Sequence, residues 1–335
     1  MHQPVVVPDS SPQLTAMIER HVASKDRIKI HDQRPDKEEL IRRLAGHQIA
    51  IVHVSHYDEE VLRRSPSLRA LVYLGTGAST DVDLAVCERL GITVRTIADY
   101  GSRTLAEHTL ALLFAVYRDL GDQHLRMRTN GTWGGRPIGE LKDKTIGIIG
   151  TGSIGTQVAG LAAAVGMKVV GWSRRREKPE IDYRELDELL RVSDIISLHL
   201  ALTPETRGII GARELDLLRP GAVLVNTARG ALIDTLAMIE RLNGGRLAGA
   251  GLDVFEIEPV PADDPIRSAK NVVLSCHRGW DSPEALVNLF RLVSQTLDEE
   301  IAKLDIDAAT TCGNGAPSRV LPGDAHRSTR PKPTS

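Results

Sequence analysis

The chain has 335 residues, a formal net charge of −2 from 42 basic and 44 acidic side chains, and 41% hydrophobic residues. That length suits two domains with a sizeable core, and the balanced charge offers no electrostatic footprint for nucleic acid or an anionic membrane. No stretch approaches the roughly 18 consecutive apolar residues of a membrane span, and the start MHQPVVVPDS lacks a basic segment followed by an apolar one, so a cytoplasmic protein is expected.

Between residues 4 and 97 the short apolar runs VVVP, RIKIH, IAIVHVS, RALVYLG and ITVRTI alternate with the helix-like QLTAMIERHV, DKEELIRRL, DEEVLRR and DLAVCERLG. This alternation predicts about five strands of a parallel sheet built from βα units. TLAEHTLALLFAVYRDL, 104–120, is apolar on most faces and too long for a strand. It predicts a buried helix that links domains or packs against another subunit. A second α/β series follows, with strands TIGIIG, KVVGW, DIISLHL, AVLVNTA, LAGAGLDV and NVVLS. SPEALVNLFRLVSQTLDEEIAKL then predicts a long amphipathic helix capped by Ser282, with Pro283 at its first position. From 306 to Ser335 the chain is rich in Pro, Gly, Ser and Thr, and disorder is expected.

The strand TIGII runs directly into Gly150-Thr-Gly152-Ser153-Ile154-Gly155 and a helical TQVAGLAAAV. In this strand-to-helix setting G-x-G-x-x-G is a dinucleotide fingerprint. Gly150 permits a tight turn, Gly152 lets backbone N–H groups approach a pyrophosphate, Gly155 lets helix and strand pack, and the helix N-terminus favours the anion. An acid at the end of the next strand would bind the ribose 2′-hydroxyl of NAD, but KVVGW ends in Ser173-Arg174-Arg175-Arg176. Guanidinium groups pair well with a 2′-phosphate, which favours NADP(H). NAD(H), with the arginines a solvated loop, is the other reading.

Ligands of open parallel sheets bind outside the carboxyl ends of the strands. There Arg229 follows AVLVNTA, Asp253 ends LAGAGLDV, Glu258 lies in the loop beyond it, and His277 follows NVVLSC. Hydride exchange with a secondary alcohol needs a base for the hydroxyl proton, and imidazole titrates near neutrality, so His277 is the candidate acid/base. Glu258 can fix its tautomer and stabilise the imidazolium. Arg229 can hold a substrate carboxylate and polarise the adjacent carbonyl, and Asp253 can orient a nicotinamide carboxamide.

With ELKDKTIGIIGTGSIG, LALTPETRGII, LLRPGAVLVNTARGALID, GLDVFEIEP and the histidine of SCHRGW in that order, the chain resembles the D-2-hydroxyacid dehydrogenase family over roughly residues 70 to 300. The resemblance implies Arg229, Glu258 and His277 as the catalytic set and Asp253 at the nicotinamide. It places Thr206 and the Thr227-Ala228-Arg229 turn along the cofactor, and has the backbone amides of Gly75-Thr76-Gly77 bind the substrate carboxylate from the other domain. It also implies the fold class: α/β, two doubly wound parallel-sheet domains, Rossmann-like and flavodoxin-like, with a cleft between them. Residues 1–97 plus 281–305 would form a discontinuous substrate domain, 98–280 the dinucleotide-binding domain, and 306–335 a disordered tail. Relatives usually dimerise through the cofactor domain, so a homodimer is expected, with 104–120 part of its interface.

The chain departs from its relatives around the histidine. Where they commonly have proline before it and small residues after, this chain has Cys276-His277-Arg278-Gly279-Trp280. Cys276 is read as a buried strand-end thiol, and the three cysteines, Cys87, Cys276 and Cys312, as reduced. Arg278 and Arg103 either reach an anionic substrate group or face solvent. His53-Val-Ser-His56 has no accompanying carboxylate or thiol cluster and reads as a loop near the substrate mouth, with no metal.

Three functions fit. The first is reduction of a small 2-oxoacid, such as glyoxylate or hydroxypyruvate, with NADPH. The second is oxidation of a small oxyanion such as phosphite; formate is disfavoured, since formate enzymes carry glutamine where this chain has Glu258. The third is a dinucleotide-sensing interaction protein, because Asp99-Tyr100 resembles the branch containing C-terminal-binding-protein corepressors.

Overall fold

The computed structural model describes residues 3–313 apart from 130, 132, 136 and 137. Its first part alternates β1 (Val5–Ser10), α1 (Pro12–His21), β2 (Ile28–Asp32), α2 (Lys37–Leu44), β3 (Ile49–Val52), α3 (Glu59–Arg63), β4 (Ala70–Tyr73), α4 (Leu84–Leu90) and β5 (Thr93–Thr96). Each apolar run of the sequence is a strand here. Asp36, Asp58 and Asp83 cap α2, α3 and α4, each accepting a bond of 2.8–3.0 Å from the N–H three residues on. The five strands form a parallel sheet in the order β2-β1-β3-β4-β5.

The second part contains α5 (Ser102–Tyr117), α6 (Leu120–Thr129), β6 (Thr145–Ile149), α7 (Ser153–Ala164), β7 (Lys168–Trp172), β8 (Asp182–Tyr183), α8 (Leu186–Val192) and β9 (Ile195–Leu198). It continues with α9 (Ala212–Leu217), β10 (Ala222–Asn226), α10 (Thr235–Asn243), β11 (Leu247–Leu252) and β12 (Val272–Leu274). These seven strands form a second parallel sheet, β12-β11-β10-β9-β6-β7-β8. Two parallel-sheet α/β domains are therefore present, each covered by helices as sheets buried on both faces require. The reversal of strand order falls between β1 and β3 in one sheet and between β6 and β9 in the other, the places where such sheets bind ligands.

Helix α5 lies on the second sheet, and the small residues of β11 let it approach closely. A methyl group on Gly249 would sit 2.6 Å from the Val116 side chain, and one on Gly251 3.1 Å from that of Leu112. The final helix, α11 (Pro283–Gly313), returns to the first sheet, where Leu289, Phe290, Val293 and Leu297 join the core of Val5, Val7, Ile49 and Val72. It runs through Gly313, into the segment read as disordered, and 314–335 lie outside the described residues. No helix among the described residues is long and apolar enough to cross a membrane.

Candidate active site

The carboxyl ends of the two sheets face each other across a cleft of about 1050 Å³. Gly75, Thr76 and Gly77, which follow β4, line it from one side; Arg229, His277 and Ile154 line it from the other.

His277 and Glu258 are joined by a bond of 2.6 Å between Nδ1 and Oε2. Burial raises the Glu258 carboxyl, but the bonds from His277 and from the Phe255 N–H outweigh it and hold the group below its ordinary value. An ionised carboxylate only accepts, so the proton sits on Nδ1 and leaves Nε2 for a substrate. His277 adopts φ +54°, and its N–H donates to the Asp253 carbonyl at 2.8 Å.

Arg229 is steered by the turn after β10. The buried Asn226 accepts from the Ala228 N–H at 3.0 Å and donates to the Arg229 carbonyl at 2.9 Å, while the guanidinium donates to the Ala228 carbonyl at 2.7 Å. Its other end reaches across the cleft: a methyl group on Gly77 would lie 2.6 Å from Nη2. The two domains thus bring one cation and one stretch of glycine backbone to the same place.

The fingerprint loop has the shape a dinucleotide requires. Gly150 has φ +99°, and a side chain there would meet the His199 carbonyl oxygen at 2.5 Å. A methyl on Gly155 would lie 1.9 Å from the Gly150 carbonyl oxygen, so helix and strand touch through backbone. Gly152 has nothing within 4 Å of where its side chain would be, which leaves room for a pyrophosphate at the N-terminus of α7. Ser153 donates to the Ser102 hydroxyl at 3.0 Å, tying this loop to the start of α5.

Other residues read from the sequence take different places. Thr227 and Ala228 line the cleft, and the Thr227 hydroxyl bonds Thr109 of α5 at 2.9 Å. Thr206 donates its hydroxyl to the Ala201 carbonyl at 2.8 Å and shapes the loop after β9 without lining the cleft. Ser173, Arg174 and Arg175 lie at the end of β7, outside the cleft. Arg174 and Arg175 are exposed and form no ion pair among the described residues, whereas Arg176 pairs with Glu185.

Asp253 lies at the cleft, yet its carboxylate is 1% exposed and largely taken by protein donors. Oδ1 accepts from Ser275 Oγ at 2.6 Å and the Arg278 N–H at 3.0 Å, and Oδ2 from the Gly279 N–H at 2.8 Å. Burial raises this carboxyl, but His108, Ser275 and the two N–H groups outweigh it and bring it to about 2. His108 and Ser275 are not among the candidates read from the sequence. The sequence signal for His108 is a histidine among the apolar residues that fill most of α5.

Cys276 is exposed rather than buried, because the chain leaves β12 at Leu274 and turns through the left-handed His277. Cys87 is buried, and burial pushes its thiol up to about 11; the side chain of Cys312 lies outside the described residues. Arg278 lines the cleft but pairs with Asp281, and Arg103 pairs with Glu107 on an exposed face. Trp280 packs edge-on against Tyr100, with ring centroids 6.4 Å apart, where the two connections between the sheets cross. His53 lines the cleft and His56 Nδ1 lies 3.2 Å from the Asp81 carboxylate; among the described residues no group of three His, Cys, Asp or Glu could hold a metal.

Residues 110–279 match the NAD binding domain of the D-isomer specific 2-hydroxyacid dehydrogenases. The chain belongs to that family. This D-2-hydroxyacid dehydrogenase is 33% identical to a hydroxypyruvate reductase of Blautia hydrogenotrophica, over 79% of the chain and 85% of the relative. It is 38% identical to a glyoxylate reductase of Aeropyrum pernix, over 72% and 75% of the two chains. Among solved structures it is similar to an acyclic imino acid reductase in complex with NADPH and D-Arg, with a TM-score of 0.80 and 32% identity, covering 89% of this chain and 97% of that one. As a member of the D-2-hydroxyacid dehydrogenases the protein is an oxidoreductase with a nicotinamide dinucleotide cofactor.

Proposed function

We propose that the protein is an NADP(H)-dependent 2-oxoacid reductase that interconverts a small 2-oxoacid and its D-2-hydroxyacid. The observation that carries this reading is the 2.6 Å bond between His277 and Glu258 beside a cleft lined by Arg229 and Gly77. When bound, the nicotinamide would supply the hydride for the carbonyl carbon. Arg229 and the amides of Gly75, Thr76 and Gly77 hold the substrate carboxylate, and the guanidinium polarises the neighbouring carbonyl. Protonated His277 gives its Nε2 proton to the carbonyl oxygen, and Glu258 stabilises the imidazolium before that transfer. In the reverse direction the neutral ring takes the hydroxyl proton.

Ser173 in place of an acid, with Arg174 and Arg175 exposed beside it and in no ion pair among the described residues, supports NADP(H) over NAD(H). Gly150, Gly152, Ser153, Ile154 and Gly155 would form the pyrophosphate loop, with Thr227, Ala228 and Asp253 nearer the nicotinamide. We assign 1–97 with 281–305 to the substrate domain and 98–280 to the cofactor domain, in keeping with the packing of α11 on the first sheet. Exposed Phe114, Leu125, Met127 and Ile138 on and beyond α5 and α6 suit a homodimer interface. The exposed free thiol of Cys276 suits the reducing cytoplasm.

The test is consumption of NADPH, and separately NADH, with a panel of 2-oxoacids including glyoxylate and hydroxypyruvate. Turnover of at least one with NADPH is expected. No turnover with any member contradicts the reading, and phosphite-driven reduction of NADP in its place would transfer the same residues to oxyanion chemistry.

A further inference from the structure

The turn that carries His277 is anchored from α5. Asp253, at the end of β11, receives three consecutive N–H groups: that of His277 on its backbone carbonyl at 2.8 Å, and those of Arg278 and Gly279 on its carboxylate at 3.0 and 2.8 Å. These bonds hold His277 at φ +54°, a conformation that a side chain disfavours and that surrounding structure must impose. The Asp253 carboxylate is buried, and His108 is the one basic side chain in ion-pair range of it among the described residues, with Nε2 3.4 Å from Oδ1.

The proton on His108 follows from counting donors. Ser275 spends its single hydroxyl proton on Asp253 Oδ1, at 2.6 Å. Toward His108 Nε2, 3.0 Å away, the same oxygen can only accept. Nε2 therefore carries a proton, shared between Ser275 and Asp253. The steric fit is equally close: a methyl group on Gly279 would lie 2.5 Å from Leu105 Cδ1, 2.9 Å from Asp253 Oδ2 and 3.0 Å from His108 Cδ2. The helix thus touches the turn two residues beyond His277.

We propose that His108 is a positioning residue for the acid–base pair: its Nε2–H, through Ser275 and Asp253, fixes the turn that sets His277 beside Glu258. The proposal rests on His277 as acid/base, and its test is separable from that reading. Proton NMR of histidine-labelled full-length protein should show a downfield resonance for the His277 Nδ1–H bonded to Glu258, assigned by its loss in His277→Asn. His108→Ala should lose or broaden it, and His108→Gln, which returns an N–H donor, should restore it. With a 2-oxoacid substrate, kcat of His108→Ala should fall about 10- to 100-fold, as for a displaced reacting group, while KM for NADPH stays within about twofold. Ser275→Ala, which removes the bridge without emptying the helix face, serves if His108→Ala does not fold and should weaken the resonance likewise. An unchanged resonance in either folded variant, equal losses in His108→Ala and His108→Gln, or no downfield resonance in the wild-type chain overturns the proposal. A normal resonance pattern with no turnover of any 2-oxoacid defeats the assigned function and leaves the positioning role standing.

Discussion

Gly77 and Arg229 belong to different sheets, yet a single methyl group on Gly77 would lie 2.6 Å from the Arg229 guanidinium. The atom it would meet is the end of a flexible side chain, and Gly77 has an ordinary φ of −96°. Gly77→Ala should therefore fold with a stability loss below about 1 kcal/mol while displacing the guanidinium. Steady-state kinetics should show KM for the 2-oxoacid raised about tenfold with KM for NADPH unchanged, an outcome tied to carboxylate binding.

Two glycines of one loop should respond in opposite ways. Gly150→Ala combines φ +99° with a backbone oxygen 2.5 Å from the new methyl group and should destabilise by about 2–4 kcal/mol. Gly152→Ala meets nothing within 4 Å and should keep its melting temperature. Its loss should appear in dinucleotide affinity, read by titration calorimetry, because the methyl group enters the space assigned to the pyrophosphate.

Cofactor choice can be tested at Arg174 and Arg175, which are exposed and free of ion pairs among the described residues. A lost charge-assisted bond to a 2′-phosphate is worth about 1.5–3 kcal/mol. The double variant to Ala should bind NADPH at least tenfold more weakly and NADH as before. Equal losses for both cofactors would remove these arginines from the 2′-phosphate site.

The carboxylate of Asp253 gives the fold an acid-sensitive component. Its value in the folded chain, about 2, lies below the ordinary 3.8, so its stabilisation is fully present above about pH 4 and is lost as pH falls toward 2. Because the group is 1% exposed, this amounts to about 2 kcal/mol. Urea unfolding across that range should show the slope in the wild type and a flatter one in Asp253→Asn. The variant should also be less stable at pH 7, since its amide would turn an N–H toward the donors of Ser275, Arg278 or Gly279.

The sheets were legible because buried parallel strands are apolar runs separated by helical periods, which is how Val5–Ser10 and Thr145–Ile149 appear in the sequence. Strand β8 is only Asp182–Tyr183, too short to show a period. Helix α6 has no buried residue and so no apolar stripe to reveal it. His277, Glu258 and Arg229 could be picked out as candidates because each follows a strand of the second sheet at its carboxyl end. The bonds of Ser275 and His108 could not, since they join residues far apart in sequence, and only the packing of α5 on the second sheet makes them neighbours. The exposure of Cys276 was likewise unreadable, because it depends on the left-handed backbone at His277.

His277, held by Glu258 at 2.6 Å, is proposed to move the proton that accompanies the hydride. The most direct test is the single-turnover loss of NADPH absorbance on mixing with a 2-oxoacid substrate, compared between the wild type and His277→Asn with NADPH affinity measured in both. Removing the acid should slow this step by about 10²- to 10⁴-fold with NADPH binding retained. A His277→Asn variant that transfers hydride at the wild-type rate would remove His277 from the proton transfer.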